Sequence, residues 1–191
     1  MEKCRVDTVT HNIGYTEPLE DALMKPWLAF FAVAATLIAS AAATAQQQEL
    51  NSLQGTWMME SAYEIKADGT RTTTYGEHPK GLLIIDAAGR YNLQIFRVGR
   101  PSFASGDKAR GTTDEYREAV LGSSTHFGTV TIDPAKHQLV FKIEAASFPN
   151  WEGQTQLRDY TYQDGLLTYA VPASASGSGT VAYSVWRRSP K

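Results

Sequence analysis

Residues 124–146 read STHFGTVTIDPAKHQLVFKIEAA. Two runs rich in Thr, Val, Ile and Phe flank Asp133-Pro134, a pair that presets a turn. The segment therefore reads as two antiparallel strands, 124–133 and 137–146, with a short connection between them. The same pattern extends in both directions. Turn chemistry at Ala67-Asp68-Gly69, Ala87-Ala88-Gly89 and Gln163-Asp164-Gly165 separates further alternating runs, which places strands near 56–66, 70–75, 81–86, 90–98, 155–163, 166–172 and 180–188. Thr70–Tyr75 is the weakest of these and is polar enough for an edge strand or an extended loop. The Ser/Gly-rich stretch Ala173–Gly179 is too short to link domains and reads as a hairpin connection.

One helix interrupts the strands. In Thr112-Thr113-Asp114-Glu115 a hydroxyl precedes a carboxylate by three residues, which is a capping box; Tyr116, Ala119 and Val120 then share a face, and Gly122 ends the run. Before it lies an unusually long loop, Gly99–Gly111. Loop and helix together form either a lid or plug, or a cover that closes one end of the sheet against water. Eight or nine consecutive antiparallel strands must hide two edges. A single closed or nearly closed β-barrel does so and leaves a central cavity of ligand size, with a β-sandwich as the competing all-β solution.

Composition narrows the function classes. Without its first 45 residues the 191-residue chain retains 146, with 15 Lys plus Arg, 15 Asp plus Glu and no cysteine. That length suits one domain, 46–191, with a single core. Neutrality argues against a nucleic-acid partner, and the lack of cysteine removes zinc ribbons and thiol nucleophiles. His78 and His137 sit in turn-like contexts without metal-ligand spacing. There is no G-x-S-x-G elbow and no phosphate loop, so neither a metal nor a cofactor is expected. Met24-Lys25, the twelve-residue apolar core Leu28–Ala39 and the Ala43-Thr44-Ala45 site give 24–45 the order of a secretory signal peptide. The core is shorter than the roughly 18 to 20 residues that span a membrane, so no stable anchor is expected after cleavage before Gln46. Residues 1–23 carry a net charge of −3, a poor leader start, and read as a start-site artefact or disordered extension, with translation beginning at Met24. The expectation is export to the periplasm or beyond.

Several ordered motifs add a resemblance. Leu53-Gln54-Gly55-Thr56-Trp57, Gly76-Glu77-His78-Pro79-Lys80-Gly81-Leu82-Leu83, the run from Arg97 to Asp107, His126-Phe127-Gly128-Thr129 and Phe148-Pro149-Asn150-Trp151 together resemble the lipocalin-like domain family of bacterial and fungal proteins. The resemblance covers nearly all of 53–188. It implies a calycin-type barrel in which Gly55 and Trp57 close the floor under a basic residue of the last strand, Arg188 in preference to Arg187. It also implies that some fungal relatives are cofactor-free enzymes that isomerise or rearrange terpenoid intermediates, so the fold alone does not decide between carriage and catalysis.

Parity supplies the candidate site. Arg97 is in step with Tyr91, Leu93 and Ile95; His126 with Gly128, Val130 and Ile132; Arg158 with Tyr160 and Tyr162. Each inward arginine needs an acceptor, from a ligand or from a carboxylate such as Glu60, Glu64 or Glu144; Arg97 alternatively sits at the rim in water. His126 is either a proton shuttle or a satisfied core residue. Trp151 and Phe148 rim a pocket mouth or pack in the core. The expected function is binding of a small hydrophobic or amphipathic, largely apolar and possibly anionic molecule, with Arg97, Arg158, His126, Tyr160, Tyr162, Tyr91 and Ile95 as the lining. The alternatives are a cofactor-free isomerase or cyclase that uses His126 as acid or base, and a ligand-free structural or interaction barrel.

Overall fold

The computed structural model describes residues 44, 47–176 and 179–190. The expectations for the upstream extension and the signal segment fall outside the described residues apart from Thr44. Nine strands follow in chain order: β1 (Gly55–Ile65), β2 (Arg71–Thr72), β3 (Lys80–Ile85), β4 (Arg90–Phe96), β5 (Ser123–Asp133), β6 (Gln138–Ala146), β7 (Thr155–Gln163), β8 (Leu166–Val171) and β9 (Val181–Arg188). From β3 to β9 each strand pairs antiparallel with the next. β1 pairs with β3 on one side and with β9 on the other, from Trp57↔Arg188 to Ile65↔Val181. Eight strands thus close into an up-and-down barrel, and no second sheet faces it among the described residues. Closure satisfies the backbone groups that two free edges would leave unpaired.

The Asp133 turn shows why the local reading worked. The Asp133 carboxylate accepts from the Ala135 and Lys136 amides at 3.1 and 3.2 Å, and His137 takes a left-handed φ of 53°. The weakest predicted strand, 70–75, is corrected to the two-residue β2, which meets only Glu64 and Ile65 of β1. Its second half instead makes a turn. The Gly76 amide donates to Thr73 O at 2.9 Å, with Gly76 at φ 84°, a conformation that glycine adopts at no steric cost.

Inward side chains fill the barrel. Trp57, Leu83, Val130, Leu139, Phe141, Leu167 and Trp186 are fully buried and form one core with Tyr91, Leu93, Ile95 and Tyr169. The floor is closed by helical residues 47–53, an element the strand pattern did not disclose. Leu50 and Leu53, three apart and therefore on one helical face, are buried in the core. The Trp57 indole donates to Leu53 O at 3.0 Å. Arg188 places its guanidinium 4.5 Å from the centre of the Trp57 ring and donates to Ser52 O, while Arg187 turns outward to Glu60 at 2.9 Å. Gly55 faces the same guanidinium, since a Cβ there would lie 3.9 Å from Arg188 Nη1. Arg188→Ala is expected to cost about 1 to 3 kcal/mol from the lost ring contact and hydrogen bond. A shifted urea midpoint measures it, and an unchanged midpoint would leave Arg188 without a structural role.

The capped helix, Thr113–Leu121, has both halves of its capping box on Thr112 and Glu115, and Gly122 ends it. It has no buried residue, and Val120 and Leu121 are 59% and 51% exposed. It therefore does not plug the barrel. Instead it is tied to the end of β4 and the start of β5 by the Arg97–Glu118 ion pair and by the Ser123 hydroxyl on Ala119 O at 2.7 Å.

Candidate functional site

The buried polar groups converge near the middle of the barrel. Arg158 enters from β7, His126 from β5, Tyr91 from β4, Phe141 from β6 and Tyr169 from β8. Arg158 is 3% exposed; its guanidinium lies 4.1 Å over the Phe141 ring and 5.1 Å from that of Tyr169. It donates to Gln156 Oε1 at 2.7 Å and reaches His126 Nε2 at 3.5 Å, while its Nε has no hydrogen-bond partner. Among the described residues no carboxylate pairs with it. Glu60 is taken by Arg187, Glu144 lies 3.8 Å from exposed Arg90, and Glu64 accepts from Thr74 and Thr180. Burial pushes the guanidinium pKa down, but arginine remains charged in proteins. The site therefore holds a positive charge in a low-dielectric interior with no carboxylate among the described residues to balance it.

His126 is 5% exposed and carries Tyr91 Oη 2.8 Å from its Nδ1. Since arginine only donates, Nε2 acts as the acceptor; Nδ1 then carries the proton and Tyr91 Oη accepts it. Burial, and secondarily the Arg158 charge, hold the imidazole pKa well below its ordinary 6.5, so the ring is neutral at physiological pH. Burial likewise raises the Tyr91 and Tyr169 hydroxyls.

This has a consequence for stability. The unfolded histidine takes a proton near 6.5 and the folded one only at lower pH, so stability is untouched above 6.5 and falls below it. The slope approaches about 1.4 kcal/mol per pH unit. His126→Gln keeps a polar amide and removes this titration, so its urea midpoint is expected to fall less between about pH 7.5 and 5. Parallel curves for the two proteins would remove His126 from the account.

A cavity of about 60 Å³ lies beside the cluster, its walls including Tyr75, Ile95, Ser124, His126, Trp151 and Arg158. This corrects the expectation of a ligand-sized void. An eight-stranded barrel is just wide enough for side chains to fill, and Trp57, Trp186, Phe141 and Tyr169 fill this one. A larger hollow, about 510 Å³, is an open groove whose lining includes Asn92, Gln94, Thr125, His126 and Phe127 and offers amides, a hydroxyl and an imidazole but no buried charge. The interior cavity is the better candidate because the buried polar groups converge on it.

Of the residues singled out in the sequence, Tyr91, Ile95, His126 and Arg158 come together here. Arg97 does not join them. β4 ends at Phe96, and Arg97 pairs with Glu118, a partner that the strand pattern gave no means of choosing. Tyr160 is inward but near the floor, stacked by His137 at 4.3 Å and with its hydroxyl 3.4 Å from Glu49. Tyr162 is 40% exposed and packs edge-on to Trp57 at 5.5 Å. The FPNW segment forms a short 3-10 turn, Pro149–Trp151, that brings Trp151 edge-on to His126 at 5.8 Å and into the cavity wall, while Phe148 stays largely outside. Sequence reasoning missed Tyr75, Gln156 and Tyr169. The last two were readable as being in step with Arg158 and Leu167, whereas Tyr75 lies in a turn where parity has no meaning.

A closed antiparallel barrel of eight strands, with a tryptophan floor under an arginine and a polar cluster set in an apolar interior, defines a calycin-type protein. The family model for the lipocalin-like domain matches residues 54–189, and the chain belongs to that family. It is similar to the 4'-hydroxy-3'-methoxypropiophenone carrier protein ppsC of Aspergillus oryzae, with 24% identity over 108 residues, covering 52% of this chain and 97% of that protein.

Proposed function

We propose that this protein is a carrier whose barrel binds a small, largely apolar molecule, with an anionic or strongly accepting group of that molecule docked on Arg158. The observation that carries this reading is the guanidinium itself, which is buried, free of any described carboxylate, short of one hydrogen-bond acceptor and set in the cavity wall. A buried charge of this kind is costly until an acceptor arrives, and a charge-assisted hydrogen bond then repays part of that cost. Ile95 and Trp151 offer the apolar surface beside it. The similarity to a protein named as the carrier of an aryl ketone supports a small organic cargo. Membership of the lipocalin-like family supports a barrel interior as its place. The signal-like order of residues 24–45 supports export, for which N-terminal sequencing that starts at Gln46 is the check.

The small cavity favours a second reading, a filled barrel with no cargo. Native mass spectrometry of the protein isolated from its own cells separates the two. The carrier reading requires a bound mass that disappears in Arg158→Met, and a bare chain together with no uptake of any arylcarboxylate by calorimetry would favour the filled barrel. The geometry weighs against His126 as acid or base. Both of its nitrogens are engaged, which suits a residue that holds Arg158 and Tyr91 in place.

A further inference from the structure

We infer that the cavity beside Arg158 is a seat for one small monovalent anion, of halide or formate size, held on the guanidinium and on the Tyr169 hydroxyl. This seat uses the same arginine as the carrier reading but needs no carried molecule. Charge is the first reason. Arg158 is buried and pairs with no carboxylate among the described residues. A cation in that position is costly unless an anion or enough acceptors meet it. Gln156 Oε1 supplies one acceptor at 2.7 Å, and Nε has none. His126 adds no second positive charge, since burial and the neighbouring arginine keep its ring neutral. Glu64 stands in the same wall, where its two carboxylate oxygens accept from the Thr74 and Thr180 hydroxyls at 3.1 and 2.5 Å. One cation and one carboxylate around the cavity select an ion with a single charge, because a second would meet Glu64 with no further cation to offset it.

The contacts point the same way. Tyr169 is buried in the cavity wall with its ring 5.1 Å from the guanidinium, and its hydroxyl has no hydrogen-bond partner. Burial raises the pKa of this phenol, so it stays protonated and has a hydrogen to donate. Ser184, the cross-strand partner of Tyr169, and Ser124 on β5 are also buried and bring two more hydroxyls to the wall. Guanidinium and hydroxyl groups together offer donors to an anion, and such charge-assisted bonds are the strong ones. Size completes the selection. The cavity measures about 60 Å³, room for about two waters at roughly 30 Å³ each. An ion of one to three heavy atoms fits in their place, whereas a sugar acid does not enter unless the wall moves.

The experiment exchanges sodium gluconate for sodium chloride at constant ionic strength. Screening is then held fixed, and the reference anion carries the same charge but is too large for the cavity. From gluconate to chloride the urea midpoint of the wild type is expected to rise by about 0.5 M or more, as binding to the folded state alone requires. The chlorine NMR line should broaden with the folded protein and sharpen again when sodium formate is added. Arg158→Met should lose both responses. Tyr169→Phe, which removes only a hydroxyl that has no partner, should bind chloride about tenfold more weakly, the effect of one hydrogen bond to a charged group. Equal midpoints in the two salts, a chloride response that persists in Arg158→Met, or wild-type affinity in Tyr169→Phe would each overturn the assignment. A protein that responds to chloride but takes up no arylcarboxylate keeps the ion seat and loses the carrier reading, and uptake of an arylcarboxylate with no chloride response does the reverse.

Discussion

Arg158→Met is expected to give a protein that is more stable than the wild type, by about 1 to 4 kcal/mol, and that no longer holds its cargo. The guanidinium is buried with no carboxylate partner among the described residues and its Nε lacks an acceptor, so the Gln156 hydrogen bond and the ring contacts offset only part of its desolvation cost. Methionine is unbranched, fills much of the same space, and places a polarizable sulfur near the faces of Phe141 and Tyr169, where the guanidinium now lies. What is lost is one hydrogen bond to Gln156, whose amide can turn toward the cavity, and the long contact to His126. Binding of an arylcarboxylate should weaken by about 10- to 100-fold, the equivalent of one hydrogen bond to a charged group. Urea denaturation and calorimetry on the two proteins read both effects. A destabilised variant with unchanged affinity would show that the arginine serves the rings around it.

Gly128→Ala should cost about 3 kcal/mol or more. At Phe127/Gly128 the register between β5 and β6 slips by one residue: Phe127 faces Ala145 and Gly128 faces Ile143, leaving Glu144 as the extra residue of a bulge. There the two backbones approach so closely that a Cβ on Gly128 would stand 2.0 Å from Lys142 O and 3.0 Å from Glu144 N. No side-chain rotation relieves a clash with backbone, so the strands must part. For a domain with a total stability of roughly 5 to 15 kcal/mol, that is a large share. The same bulge lies two residues from His126 and sets its aim across the barrel, as bulges beside binding sites commonly do. A urea midpoint for Gly128→Ala within error of the wild type would mean that the close approach is not sustained in solution.

What could be read from the sequence was whatever depends on neighbours along the chain. The strands on either side of Asp133-Pro134, the capping box at Thr112 and Glu115, and the stop at Gly122 follow from local chemistry and are where the pattern put them. Alternation also placed Tyr91, His126 and Arg158 on the inner face. Alternation gives a face and no height, however. On one strand Arg158 reaches the polar cluster, Tyr160 reaches the floor and Tyr162 projects past it. Arg97 kept the parity of β4 but lay one residue beyond its end, where the chain turns toward Gly122. The helical residues 47–53 are too few for a period to show. The cavity volume depends on how all the inward side chains fit together, a sum that no local pattern contains.

The pairing of β1 with β9 joins residues more than a hundred positions apart, whereas in the other pairings the partners are at most 39 positions apart, as in Arg90↔Thr129. Loop-closure entropy makes such a seam the slowest contact to form, so the meander from β3 to β8 can assemble while β1 still waits for its second partner. During synthesis from the ribosome, both rims of the growing sheet stay open until the last strand emerges, and their unpaired amides and carbonyls are available to other chains. Arg187 and Arg188 end that last strand, so they meet their partners on β1 only as the seam closes.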